Sequence, residues 1–110
     1  MVINRPSIFI YAYNFSPDML RELCAGMEEE GVFFELFEME QESARSLAHR
    51  AAEDSMLGTG IGICGSQVVL QMRGLKEEHP VAEYDQPDSL RCRILGENAA
   101  RSIKKMPFLD

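Results

Sequence analysis

The sequence predicts a single α/β domain over residues 1–110, built as a three-layer sandwich around a mixed sheet of about five strands. Strand patterns and helix patterns alternate through the first half of the chain, which favours parallel strands joined by right-handed crossovers. A short apolar strand then returns through a Gly-Ser turn, which is typical of a hairpin and makes the sheet mixed. A last amphipathic segment follows, so we expect helices on both faces of the sheet.

The first half of the chain begins with a strand, a helix and a second strand. Runs of β-forming residues predict strands over residues 7–13 and 32–38. Between them, Ser16 suits the N-cap and Pro17 the first position of a helix that should end near residue 30. Apolar residues three and four positions apart mark its buried face, namely Met19, Leu20, Leu23 and Met27.

A second helix is predicted over residues 40–55, and its apolar face is made largely of alanine, which allows close packing on a sheet. The glycine-rich run from Gly58 to Gly65 follows it. This run lacks the Lys and Ser/Thr of a phosphate-binding loop, and it leads into a turn and a strand instead of a helix. We therefore interpret the glycines as positions where a helix approaches a strand closely or where a tight turn opens. The alanine-rich face comprises Ala44, Leu47, Ala48, Ala51 and Ala52.

The second half of the chain predicts a hairpin, one further strand and a last helix. The turn Gly65-Ser66 separates the two hairpin strands. Ile94, Ala99 and Ile103 have the spacing of a buried helical face. The expected elements are strands over 59–64, 67–72 and 81–85, and a helix from Ser89 or Leu95 to about Lys105.

The composition disfavours several classes of function. The formal net charge is -7 and the pI is about 4.8, whereas nucleic acids and anionic membranes select basic surfaces. The longest apolar runs fall short of the roughly 18 residues that a transmembrane helix requires. The three cysteines, Cys24, Cys64 and Cys92, form no CxxC pair, so neither a disulfide framework nor a zinc site is indicated. Reduced cysteines in a cytoplasmic protein are the expected state.

The run Glu28-Glu29-Glu30, followed by Gly31, places three carboxylates in the last turn of the first predicted helix. A helix C-terminus favours positive charge by about 0.3–1 kcal/mol per group, so these carboxylates lie at the unfavourable end. Either a cation or a basic group of another chain neutralises them, or they are simply solvated. Basic residues cluster separately toward the end of the sequence, which suggests complementary patches for different partners. That cluster comprises Arg91, Arg93, Arg101, Lys104 and Lys105.

Motifs for catalysis do not stand out. His49 and His79 are 30 positions apart, and neither has a nucleophile in a recognisable motif beside it. Nucleophile elbows are absent, and no pair of carboxylates is marked by its spacing. The chemistry of the sequence therefore favours a binding or assembly subunit over an enzyme, with no catalytic and no cofactor-binding residues assigned.

Three segments together resemble the small subunit of the diol or glycerol dehydratase reactivating factors. They occur in the family's order, and each alone is a weak signal. The first is Gly-Met-Glu-Glu-Glu-Gly-Val-Phe-Phe at 26–34. The second is Gly-Ile-Gly-Ile-Cys-Gly at 60–65 followed by Val-Val-Leu at 68–70, and the third is Leu-Gly-Glu-Asn-Ala-Ala-Arg-Ser-Ile-Lys at 95–104 with Pro-Phe at 107–108.

The resemblance implies a non-catalytic subunit of an ATP-dependent, chaperone-like factor that releases damaged cobalamin from an adenosylcobalamin-dependent dehydratase. The large partner subunit would be the ATPase, and the small subunit would resemble the cobalamin-contacting subunit of the dehydratase and exchange with it. It also implies that Glu29 reaches a divalent cation, Mg²⁺ or Ca²⁺, at the interface with the large subunit, within a partner-binding set of Glu28, Glu29 and Glu30. Relatives occur with bacterial microcompartments, so a place inside such a shell is a second expectation.

Other functions stay open at the level of sequence. A cobalamin-binding or dehydratase-type small subunit is the main alternative, although the Asp-x-His-x-x-Gly pattern of cobalt-ligating domains does not occur. A small hydrolase or isomerase that uses unpaired carboxylates is a third reading, which requires a deep pocket. An isolated small subunit would keep an interface made for its partner, so self-association into a homo-oligomer is also expected of the chain on its own.

Overall fold

The computed structural model describes residues 5–110, and residues 1–4 of the predicted domain lie outside the described residues. Strands and helices alternate up to the third strand, as the sequence predicts. The strands are β1 (Ile8–Tyr13), β2 (Phe34–Glu38), β3 (Thr59–Cys64), β4 (Gln67–Met72) and β5 (Ala82–Asp85). The helices are α1 (Pro17–Glu29), α2 (Ala44–Asp54) and α3 (Ser89–Lys104).

The sheet has the strand order β2-β1-β3-β4-β5. β1 pairs in parallel with β2 on one side and with β3 on the other. β3, β4 and β5 then pair antiparallel as a meander. The prediction of a mixed sheet of about five strands is therefore confirmed, and β2 and β5 are its two edges.

Helices cover both faces of the sheet, which confirms the three-layer prediction. Alternate residues of β1 point to opposite faces, because side chains alternate along a strand. Ile8 and Ile10 join the main core with residues of α1 and α3, whereas Tyr11 packs with Leu47 and Ala51 of α2. In residues 5–110, no helix is long and apolar enough to cross a membrane.

The glycines of β3 lie directly under α2. A Cβ atom added to Gly60 would lie 2.2 Å from the backbone nitrogen of Ala52, and one added to Gly62 would lie 2.2 Å from the carbonyl oxygen of Ala44. The alanine face of α2 and the glycines of β3 therefore match each other, which confirms that these glycines permit a close approach of helix and strand. Gly65 opens the hairpin turn with φ of 61°.

Two elements begin two or more residues later than the sequence predicts, and local hydrogen bonds explain both starts as well as the start of α3. β2 begins at Phe34 and not at residue 32, because the amide of Val32 donates to the Met27 carbonyl and so closes the end of α1. α2 begins at Ala44 and not at residue 40, because Ser43 caps it by accepting from the Ser46 amide. Asp88 caps α3 by accepting from the Arg91 amide, so the helix takes the earlier of the two predicted starts.

Candidate partner-binding surface

The acidic run lies where the sequence predicts it, at the C-terminal end of α1. Glu28 and Glu29 complete the helix, Glu30 is its C-cap, and Gly31 turns the chain with φ of 75°. Glu28 and Glu29 are exposed, whereas the side chain of Glu30 is only 13% exposed. The three carboxylates therefore form one acidic corner, but Glu30 faces inward and the other two face outward.

Basic residues of α3 lie against this corner. Lys104 Nζ is 2.9 Å from Glu30 Oε1, and it also donates to the Glu30 carbonyl oxygen at 2.8 Å. Arg101 Nε lies 3.3 Å from Glu30 Oε2. Arg93 Nη2 is 2.8 Å from Glu22 Oε1, and its Nη1 donates to Glu29 Oε1. Positive charge thus reaches the end of α1 from within the same chain.

This arrangement corrects part of the sequence analysis. We expected a cation, a basic group of another chain or plain solvation at the acidic run, and we expected the basic cluster to form a separate patch. Three of its five members instead contact carboxylates of α1, and Arg91 lies over the ring of Tyr84, with 5.2 Å between the guanidinium carbon and the ring centroid. Lys105 is the C-cap of α3 and is exposed.

Two glycines bring α1 and α3 close enough for these contacts. A Cβ atom added to Gly96 would lie 2.0 Å from the Leu23 carbonyl oxygen, and one added to Gly26 would lie 2.2 Å from the Arg93 carbonyl oxygen. The backbones of the two helices therefore touch where they cross. Both glycines belong to the segments that carry the family resemblance, but their spacing in the sequence gives no sign that they face each other.

Two carboxyl groups at the corner have pKa values that are shifted in opposite directions. The hydrogen bond from Lys104, together with the charge of Arg101, lowers the pKa of Glu30. Burial raises the pKa of Glu97, and the charges of Glu29 and Glu30 raise it further. Negative charge is therefore compensated around Glu30, whereas Glu97 faces the like charge of Glu29.

The corner can supply one carboxylate to a shared cation site. The Glu29 side chain is 46% exposed, and only its Oε1 accepts from Arg93. Across residues 5–110, no group of three or more His, Cys, Asp or Glu side chains is placed to hold a metal ion. Mg²⁺ commonly takes one or two protein carboxylates and completes its shell with water or phosphate. The residues fit a cation that a second chain also binds.

The histidines of the chain lie on other elements than this corner. His79 is exposed in the loop before β5, and His49 is half-buried on α2. Cys24 lies one turn before Glu28 on α1. Burial and the charge of Glu28 raise the pKa of Cys24 to about 11, so its thiol stays protonated and unreactive at neutral pH.

A surface that sequence analysis missed adjoins the corner. Glu28, Gly31 and Val32 line one groove together with Phe33 and Phe34 at the start of β2. The exposed fractions are 51% for Phe33 and 38% each for Leu36 and Phe37. The sequence predicts an apolar strand here, but it gives no signal that the strand lies at an edge of the sheet.

Comparisons with known proteins cover almost the whole chain. The model of the family described as dehydratase medium subunit matches residues 5–109. The propanediol dehydratase-reactivating factor small subunit of Citrobacter freundii is 32% identical over 110 residues, which span 98% of this chain and 94% of that protein. The diol dehydratase-reactivating factor small subunit of Klebsiella michiganensis is 32% identical over 106 residues, which span 96% and 85%.

Solved structures show the same fold. A chain from the structure of diol dehydratase-reactivating factor complexed with ADP and Mg²⁺ superposes with a TM-score of 0.89 at 32% identity, covering 97% of this chain and 100% of that chain. A chain of a glycerol dehydratase reactivase superposes with a TM-score of 0.88 at 26% identity, covering 96% and 98%.

Proposed function

The chain belongs to the dehydratase medium subunit family, and from that premise we propose that it is the non-catalytic small subunit of a reactivating factor for a diol or glycerol dehydratase. The family resemblance inferred from the sequence is confirmed, and the relatives from Citrobacter freundii and Klebsiella michiganensis are small subunits of such factors. One observation carries the proposal. The match to a reactivating-factor chain extends over 97% of this chain and all of that chain.

The division of labour is part of the same proposal. We assign ATP hydrolysis to a large partner subunit, because the glycines of β3 pack under α2 and their run lacks the Lys and Ser/Thr of a phosphate-binding loop. The small subunit acts by exchange of partners: it leaves the large subunit, the dehydratase subunit takes its place, and damaged cobalamin escapes from the opened dehydratase. In this proposal the chain acts in the cytoplasm or in a bacterial microcompartment.

The acidic corner is assigned to the contact with the large subunit. Glu29 offers a half-exposed carboxylate, and Glu28 beside it is exposed, whereas Glu30 is held by Lys104 and Arg101. In this proposal Glu29 gives one oxygen to Mg²⁺ or Ca²⁺ at the interface, and the cation bridges the two subunits. Glu28 adds negative charge, and Glu30 fixes the end of α1 against α3.

The test is reconstitution with the large subunit encoded by the same source. We expect the two chains to copurify, ATP hydrolysis to appear only in the complex, and the complex to restore activity to dehydratase inactivated with its cofactor in place. The large subunit without this chain should restore little. A stable complex that hydrolyses ATP but never restores dehydratase activity would contradict the proposal.

A dehydratase subunit is the second candidate, because the family is itself described as the dehydratase medium subunit. This reading predicts that the chain copurifies with dehydratase subunits and that the assembled protein binds cobalamin. Titration of the isolated chain with cobalamin, followed by visible absorbance, separates the two candidates. Micromolar binding would favour the second candidate.

A further inference from the structure

β2 is an edge strand, and among residues 5–110 no helix covers it beyond Phe34. Side chains of β1 pack against α1 and α3 on one face and against α2 on the other, but Leu36 and Phe37 of β2 belong to neither cluster. Phe34 reaches the main core, whereas Leu36 and Phe37, which point to opposite faces, remain 38% exposed. Parallel strands are normally buried on both faces, so β2 is exposed in a way that the fold alone does not explain.

The opposite edge of the sheet does not share this exposure. On β5, Glu83 pairs with Arg45 of α2 at 2.5 Å, and Tyr84 lies beneath the guanidinium group of Arg91 of α3. Long charged side chains thus screen both faces of that edge, which is a common way to prevent strand addition. Just before β2, Arg5 lies over the ring of Phe33, with 4.3 Å between the guanidinium carbon and the ring centroid, and Phe37 packs edge-to-face against Phe9 of β1. Among the ion pairs and cation–π contacts of residues 5–110, none involves a residue of β2 itself.

Only every second residue of β2 directs its backbone N–H and C=O groups to the free edge. Ile8 donates to the carbonyl of Phe33, and the Met39 amide donates to the carbonyl of Ala12, so the odd-numbered residues of this segment bond to β1. In a regular parallel ladder the intervening residues direct their N–H and C=O groups away from β1. The outward groups therefore belong to Phe34, Leu36 and Glu38.

Apart from Arg5 beside Phe33, the charge next to this edge is negative. From Phe33 to Ser43 the sequence carries four glutamates and no lysine or arginine. Glu42 pairs with Arg50, while Glu35, Glu38 and Glu40 are exposed. A second copy of this chain would bring the same carboxylates to the edge, and like charges across a strand pair are destabilising. The chemistry favours an added strand that carries both apolar residues and lysine or arginine.

We propose that the free edge of β2 accepts an extended, lysine- or arginine-bearing segment of the large partner subunit as a sixth strand. Main-chain hydrogen bonds to Phe34, Leu36 and Glu38 hold the segment, and its apolar side chains cover Leu36 and Phe37. The groove that joins Glu28 to Phe33 and Phe34 makes this edge continuous with the acidic corner. The inference rests on the proposed function, because it requires the large subunit.

The deciding variant is Leu36→Pro, compared with Leu36→Ala. Proline removes an outward N–H and leaves the hydrogen bonds between β2 and β1 in place, and edge strands tolerate it. Both variants shorten the side chain, but only proline removes the donor. We expect Leu36→Pro to weaken the complex with the large subunit at least about tenfold in Kd and Leu36→Ala to weaken it less. Circular dichroism of each variant checks that the fold is retained.

A charge reversal supplies a second test that does not depend on proline. The pair Glu35→Lys and Glu38→Lys changes the net charge as much as Glu77→Lys and Glu78→Lys do in the exposed loop before β5. We expect the first pair to slow association and weaken binding about tenfold, most strongly at low salt, and the second pair to have a much smaller effect.

The outcomes separate this inference from the proposed function. A wild-type complex that tolerates both Leu36→Pro and the β2 charge reversal would overturn the inference and leave the function standing. Absence of any wild-type complex would overturn both. If the isolated chain dimerises, and Leu36→Pro makes it monomeric without affecting the complex, then a second copy occupies the edge and the inference is wrong.

Discussion

Glu30 and Glu97 lie on either side of the contact between α1 and α3, and their environments act in opposite directions. Lys104 and Arg101 stabilise the ionised form of Glu30 and lower its pKa. Glu97 is desolvated and faces Glu29, so its ionised form is disfavoured and its pKa is raised. Glu30 therefore favours the folded state at neutral pH, whereas ionised Glu97 opposes it.

We predict opposite effects of Glu30→Gln and Glu97→Gln on the free energy of unfolding at pH 7. Glu30→Gln should lower the free energy of unfolding. The difference from the wild type should shrink as the pH falls from the ordinary pKa of 4.5 through the lower folded pKa of Glu30. Glu97→Gln should raise the free energy of unfolding. This gain should shrink as the pH falls through the folded pKa of Glu97, which lies above 4.5, toward the ordinary value. Urea unfolding at pH 7 and pH 4 measures both. Shifts of the same sign at pH 7 would contradict the assignment.

At the scale of elements, the crossing of α1 and α3 determines which charges meet. Gly26 and Gly96 allow the backbones to touch, and this contact places Arg93 within reach of both Glu22 and Glu29. The same device appears on the other face, where the glycines of β3 admit the alanine face of α2. Each helical layer thus depends on glycines at the points where its backbone lies closest to the neighbouring element.

We predict that Gly96→Ala destabilises the chain by about 1–3 kcal/mol or more, because the new methyl group would overlap the Leu23 carbonyl oxygen and force the helices apart. Helix propensity alone predicts the opposite sign, a gain of about 1 kcal/mol. Thermal and urea unfolding measure the change. Gly31→Ala is the contrasting variant, since nothing lies within 4 Å of its added Cβ and only the left-handed backbone opposes it, by roughly 1–2 kcal/mol. A more stable Gly96→Ala would refute the contact.

At the scale of the whole molecule, the acidic corner and the exposed sheet edge at β2 lie on adjoining surfaces. Both features are expected of a subunit that works against a larger partner. In the proposed function Glu29 is the one ligand that the corner gives to the cation, so the partner has to supply the others. Metal dependence should therefore appear only in the complex.

We predict that Glu29→Gln weakens the complex with the large subunit about tenfold in Mg²⁺, equivalent to about 1.4 kcal/mol, because one ligand of the bridging cation is lost. Chelation with EDTA should weaken the wild-type complex and have little further effect on the variant. The Tm of the isolated chain should not respond to millimolar Mg²⁺, since binding stabilises only a protein that holds the ligand. Titration calorimetry measures the affinities, with Glu77→Gln as the charge-matched control. Equal EDTA sensitivity in the variant and the wild type would exclude Glu29 as a ligand.

The sequence by itself determined most of the elements, because their signals are local. Capping residues, apolar spacing and turn glycines act within a few positions, so they predict the helices, the hairpin and the acidic end of α1. The close packing of α2 on β3 was also predictable, because an alanine face and a glycine strand are both visible as patterns.

Only the tertiary structure decided which residues meet across the chain. Arg93 and Glu29 are 64 positions apart, and no local pattern indicates that the basic cluster of α3 neutralises the acidic run of α1. Likewise β2 carries the pattern of a buried strand, and it lies at an edge only because β1 and β3 pair directly. Charge pairing and strand order depend on contacts between distant segments, which the packing of the whole sheet and its helices establishes.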